Sequence, residues 1–194
     1  MFDAIILAGG AARRLQGADK PALQIGGLSL LERALDAVAG AAHTVVVGPT
    51  RTSARSVTWR REEPVGGGPV AALAAGIGAV GEDVVVVLAA DQPDIAPAVP
   101  VLLAALTGSG DVACLVDPDG RVNYLAAAWR TSALRVALTA RGDPNGVPLR
   151  ALIAGTDMIP VRDPDGWGRD CDTWDDVADA RRRAGSERPE GEIR

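Results

Sequence analysis

Gly9, Gly10, Arg13, Arg14, Gly17 and Lys20 fall in one short stretch, "LAGGAARRLQGADKP" (residues 7–21), directly after an apolar run. Adjacent glycines let a backbone turn with positive φ and bring N–H groups close to an anion. Arginines offer forked donors to phosphate oxygens, and lysine adds a compact charge. Such a loop holds a polyphosphate, or it is a glycine turn with solvated arginines. Two common phosphate motifs are excluded. A P-loop needs G-x-x-x-x-G-K-[ST], but here Asp19 precedes the lysine and Pro21 follows it. A dinucleotide fingerprint needs G-x-G-x-x-G, but here the glycines are adjacent.

Three further stretches carry candidate chemistry. "EEPVGGGPVAAL" (residues 62–73) runs from three glycines into Gly68, Pro69 and a helix. A helix N-terminus there binds an anion or a polar edge, or the glycines merely make a permissive turn. "VVVVLAADQPDI" sets Asp91 just after a strand. A carboxylate in that position suits Mg²⁺, which takes oxygen ligands and keeps waters; it also suits a plain turn or cap, the reading given to Asp94. "GRDCDTWDD" sets Asp170 and Asp172 before a last helix, which they would cap or whose approach they would arm with carboxylates.

The elements that must position these residues read as alternating strands and helices. Short apolar strands are expected at 4–8, 44–48, 56–60 and 83–91, near 111–117 and 123–130, and at 157–161. Helices are expected from the Ser29–Glu32 capping box to a stop at Gly40, from Pro69, over 96–106, 131–140 and 148–153, and from Thr173 with Asp176. This alternation predicts an α/β fold with a mostly parallel sheet, whose ligands bind at the strands' carboxyl ends. The 194 residues suit one domain, over residues 1–184, and the polar segment 185–194 reads as a disordered tail.

Composition excludes several roles. A net charge of -5 and 3% aromatic residues leave neither a basic footprint nor a stacking platform for nucleic acid. Cys114 and Cys171 are far apart and His43 is the single histidine, so a Cys/His zinc site is not expected. Free thiols, an N-terminus unlike a signal peptide and no apolar run of membrane-spanning length predict a cytoplasmic protein without membrane contact. The four tryptophans, at 59, 129, 167 and 174, read as packing groups.

The opening stretch resembles the signature loop of the molybdenum cofactor guanylyltransferase family, with its pattern LAGG-x-x-x-R-(M/L)-G-x-x-DK-P. Gln16 stands where the family commonly has glycine, and Ala72 likewise in the second stretch. The resemblance covers about residues 3–180. It implies a Rossmann-like three-layer nucleotidyltransferase fold and transfer of GMP from GTP to the molybdopterin form of the molybdenum cofactor. It implies Lys20 and Arg14 as catalytic residues. GTP would be bound by Leu7, Ala8, Gly9, Gly10, Arg13, Arg14, Gly17, Lys20, Gly68, Pro69 and Asp91. Mg²⁺ would sit on Asp91 and Asp172, with Asn123 and Tyr124 on the pterin side. Cofactor-synthesis proteins and target molybdoenzymes are the implied protein partners. Cytidylyl transfer to the same cofactor, sugar-phosphate nucleotidyl transfer and a nucleotide-binding regulator without catalysis are the rival readings; the paired Gly9–Gly10 and the run 66–69 favour guanine.

Overall fold

The computed structural model describes residues 1–10, 13–15, 17–106 and 108–186, with the backbone alone at Arg13 and Ser186. In chain order the strands are β1 Asp3–Leu7, β2 Gln24–Ile25, β3 Leu28–Ser29, β4 Thr44–Val47, β5 Thr58–Arg60, β6 Val84–Ala89, β7 Val112–Val116, β8 Val122–Arg130 and β9 Met158–Arg162. The helices are α1 Leu30–Ala37, α2 Pro69–Ile77, α3 Ala98–Ala105, α4 Thr131–Thr139, α5 Arg150–Ile153 and α6 Trp174–Ser186. Of the expected tail over 185–194, Gly185 and Ser186 instead close α6, and the rest lies outside the described residues.

Seven strands form one sheet in the order β5-β4-β1-β6-β8-β7-β9, and β8 alone runs antiparallel to its neighbours. The period-2 alternation of strand side chains splits the core between two faces. Ala4 and Ile6 of β1 pack with Leu31 and Leu35 of α1 and Leu102 of α3. Ile5 and Leu7 face the other way, toward Leu73 of α2 and Leu134 of α4. Strands buried on both faces read as continuous apolar runs, which is why Ala4–Leu7 and Val84–Ala89 show little polar alternation. No helix among the described residues is long and apolar enough to cross a membrane.

A third, smaller core lies beside the sheet. Leu15, Ile25 and Leu30 meet Cys171, Val177, Ala180 and Ala184, so α6 seals the segment that follows the signature loop. The hairpin β2–β3 belongs to it and was not expected. Its turn is Gly26–Gly27, with φ of 63° and 91°, two positive angles as in a type I′ hairpin turn. Both capping boxes form: Ser29 with Glu32 at α1, and Thr173 with Asp176 at α6. Helix α1 ends at Ala37, short of the expected stop at Gly40.

Two expectations are corrected. Asp94 caps nothing, because α3 opens with Pro97 as its N-cap; its carboxylate is instead held by Arg183 at 2.8 Å and Arg33 at 3.6 Å. Trp174 is not a packing group, being 45% exposed, whereas Trp129 is fully buried.

Candidate active site

The sheet order changes direction between β1 and β6. From β1 the chain goes out to β4 and β5, then returns to β6 on the other side. A crevice at the carboxyl ends of these strands follows from that reversal. The chain leaving β1 is held tightly there. Ala8 N donates to Val47 O at 2.8 Å, and Ala90 N donates to Leu7 O at 2.9 Å. A Cβ on Gly48 would lie 2.7 Å from Ala8 O, so only glycine lets β4 approach this turn. Gly10 and Gly17 take φ of 131° and 79°. Short 3-10 turns at Arg13–Leu15 and Lys20–Ala22 then fold the segment back over the strand ends. The expectations for Gln16 and for the Arg13 side chain lie outside what the structure describes.

Lys20 is the centre of the crevice. Its Nζ lies 2.5 Å from Asp91 Oδ2 and 2.6 Å from Asp172 Oδ1. Arg14, 75% exposed, reaches Asp172 Oδ2 at 3.6 Å. The positive loop therefore has carboxylate partners from β6 and from the approach to α6. Burial works against the Lys20 ammonium, but Asp91 and Asp172 outweigh it and hold its pKa above the ordinary value. Cys171 N donates to Asp91 O at 2.9 Å, which ties the two carboxylate segments together by backbone. The Cys171 thiol is buried and pushed up to about 11, first by burial and then by Asp91, so it stays protonated at neutral pH.

Gln92 is fully buried and donates from Nε2 to Asp170 Oδ1 at 3.1 Å. Although Asp170 has one side open, desolvation and then the Asp91 charge raise its carboxyl to about 6. Asp91 Oδ1 is buried and finds no partner among the described residues.

Two further regions lie at the carboxyl-end rim of the sheet. On one side, beyond β5, Gly66 and Gly68 have φ of 84° and 93°, and Gly68 is the N-cap of α2 with Pro69 as its first residue. A Cβ on Gly67 would strike Asn145 Oδ1 at 2.3 Å, and Gly146 N donates to Gly67 O at 2.8 Å. The connection between α4 and α5 thus backs the glycine loop. On the other side a cavity of about 670 Å³ opens from Asp91 and Asp170 toward Asn123, Tyr124, Asp119 and Arg169. Asn123 lines it with its amide already engaged: Nδ2 donates to Gly168 O at 2.9 Å and Oδ1 accepts from Leu125 N at 3.1 Å.

The family model described as "MobA-like NTP transferase domain" matches residues 4–159. The chain belongs to the MobA-like NTP transferase family. A molybdenum cofactor guanylyltransferase of Acidiphilium cryptum (strain JF-5) is 34% identical over 140 residues, covering 67% of each chain. Among solved structures, a nucleotidyl transferase from Methanothermobacter thermautotroptrophicus superposes with a TM-score of 0.80 at 24% identity, over 97% of this chain and 99% of that one. A 2-C-methyl-D-erythritol 4-phosphate cytidylyltransferase from Thermus thermophilus superposes at 0.71 with 21% identity, over 95% and 100%. The shared architecture confirms the expected fold and does not by itself select a base.

As a member of this family the chain is a nucleotidyltransferase. The family match ends at residue 159, yet Asp172 and Asp170 lie beyond it and reach Lys20 and Gln92 respectively. Sequence reasoning missed Arg51, whose guanidinium grips Asp19 next to Lys20, and Gly48. Neither sits in a motif; a glycine straight after a buried strand was the one visible signal.

Proposed function

We propose that this chain transfers GMP from GTP to the molybdopterin form of the molybdenum cofactor, giving the guanine dinucleotide cofactor and pyrophosphate. The observation that carries the reading is Lys20 clasped by Asp91 and Asp172 between a glycine-lined loop and a separate cavity. The name of the 34% identical relative supports guanine and the pterin acceptor. Free buried thiols at Cys114 and Cys171 fit a cytoplasmic setting.

In the reaction, an oxygen of the acceptor's terminal phosphate attacks the α-phosphorus of GTP in line. The α–β bridging P–O bond breaks and its electron pair leaves with pyrophosphate. An ionised phosphate nucleophile needs no general base, so the protein's work is positioning and charge neutralisation. Backbone N–H groups around Gly9 and Gly10 face the nucleotide phosphates, while Gly68 and Pro69 face the base and ribose. Arg14, with Arg13, steadies the leaving phosphates. Two of the three Lys20 ammonium donors go to Asp91 and Asp172, which leaves the third to reach the α- and β-phosphate oxygens. Asn123 and Tyr124 line the acceptor side.

The residues present fit Mg²⁺. Asp91 has a buried oxygen without a partner among the described residues and Asp172 is exposed, and both are hard oxygen donors. No larger chelating group of carboxylates, His or Cys occurs among the described residues, and Mg²⁺ in phosphate chemistry uses one or two carboxylates plus phosphate and water. Asp91 and Asp172 would hold the ion, which supplies charge neutralisation at the phosphates.

Thermal unfolding with each nucleoside triphosphate and Mg²⁺ tests the base. GTP should give the largest rise in Tm; a ligand at 100 times its Kd stabilises by about 2.7 kcal/mol. An equal or larger rise with CTP overturns guanine. Pyrophosphate release on adding molybdopterin separates an enzyme from a nucleotide-binding regulator.

A further inference from the structure

Arg51 follows β4, in a turn that none of the motifs includes. Its side chain is only 17% exposed. Nε lies 3.1 and 3.0 Å from the two Asp19 oxygens and Nη2 lies 2.6 Å from Oδ1, a forked grip on one carboxylate. The remaining nitrogen, Nη1, donates to Ala8 O at 3.2 Å and to Pro49 O at 2.8 Å. One guanidinium therefore joins three backbone segments: the end of β1, the turn after β4 and the residue just before Lys20. Asp19 is also the N-cap of the turn Lys20–Ala22, but its carboxylate makes no capping bond there. It is committed to Arg51 instead.

We propose that Arg51 is a positioning residue for Lys20. Ala8 and Asp19 bracket the signature loop, and Arg51 bridges them, so it fixes the span and direction of the loop that delivers the lysine. It acts through Asp19 and the Lys20 backbone without touching the substrate. The geometry needs an arginine. A lysine ammonium is one point of charge and cannot grip a carboxylate with a planar fork while also feeding two carbonyls. A loop misplaced by about 1 Å can cost on the order of 10²-fold in rate, even when the change lies outside the reacting atoms.

This inference rests on the proposed nucleotidyl transfer, and the test keeps the two apart. Single-turnover transfer and nucleotide KM are measured for Arg51→Ala, Arg51→Lys and Asp19→Asn, each in the wild-type and in the Lys20→Ala background, with urea unfolding alongside. The assay uses whichever nucleoside triphosphate stabilises the wild type most, so a wrong base leaves the Arg51 test standing. The expected result is a loss of about 10- to 100-fold at saturating nucleotide for Arg51→Ala and Asp19→Asn, with Arg51→Lys recovering little. In the Lys20→Ala background the same changes should cost under about twofold, because the group they position is gone. Equal losses in both backgrounds would mean that Arg51 acts on the substrate itself and would overturn the proposal. So would a wild-type-background rate that stays within about twofold while only the unfolding transition moves. Asp19→Asn keeps the question open to measurement if Arg51→Ala fails to fold.

Discussion

The rim formed by β1, β4, β5 and β6 differs in kind from the rim formed by β7, β8 and β9. The first is built from glycines, open backbone and the cations Arg14 and Lys20. The second encloses a cavity whose lining includes Asp117, Asp119, Asp163 and Asp170, with Arg169 as its cationic member. An anionic nucleotide suits the first rim directly. An anionic acceptor suits the second only with a cation at the seam, and Lys20 stands at that seam with Asp91 and Asp172 around it. One side therefore binds by backbone and charge, and the other depends on what the seam neutralises.

The largest effect is expected where the two rims meet. Lys20→Ala should lower single-turnover transfer by about 10²–10³-fold, the scale seen when a preorganised donor is removed from developing charge. Arg at this position should rescue poorly, since its planar fork does not reproduce a compact charge between two carboxylates. Unchanged turnover in the alanine variant would reduce the seam to a structural ion pair and remove the basis for contrasting the two rims.

A smaller effect should confine itself to one rim. Tyr124 lines the cavity at the start of β8 and is remote in sequence from the glycine loops. Tyr124→Ala should raise the acceptor KM by about two- to tenfold, equivalent to the roughly 0.5–1.5 kcal/mol of an aromatic contact. The Tm rise given by GTP and Mg²⁺ should stay as in wild type. If nucleotide stabilisation falls in parallel, the rims are one site and the contrast is wrong.

The same contrast explains what was legible in the sequence. Runs such as Val84–Ala89 and the Ser29–Glu32 box carry their own local signals, so the α/β order was readable. Strands β2 and β3 have two residues each, too few for any periodicity; the Gly26–Gly27 pair was their one trace. The nucleotide rim is largely contiguous, and Gly9 to Lys20 could be read as one loop. Its support is not contiguous: Arg51 lies 32 residues from Asp19, and Asp172 lies 152 from Lys20. The part assigned to Asp172 came from resemblance alone, and nothing in the sequence joined Arg51 to Asp19. The cavity draws on β6, β7, β8 and the approach to α6, a convergence that only the fold makes.

The smallest effect distinguishes positioning from stabilisation on the nucleotide rim. Arg51's hydrogen bonds to Asp19, and then its charge, hold the Asp19 carboxyl below its ordinary pKa against a modest cost of burial. A carboxylate whose folded pKa is depressed adds stability that is fully present above its unfolded value. That contribution is lost as pH falls through the folded pKa. Asp19 is 53% exposed, so solvent screens the pair and its worth should stay under about 1 kcal/mol. Asp19→Asn should therefore unfold in urea slightly more easily than wild type at pH 7, and the gap should be constant down to about pH 5. Below the ordinary carboxylate range near 3.9 the two curves should converge, and added salt should narrow the gap at neutral pH. A gap of several kcal/mol, or one that persists in acid, would make the Asp19–Arg51 link a pillar of the fold. The loss of transfer in Asp19→Asn would then report unfolding, and the rim would owe its shape to stability rather than to the aim of Lys20.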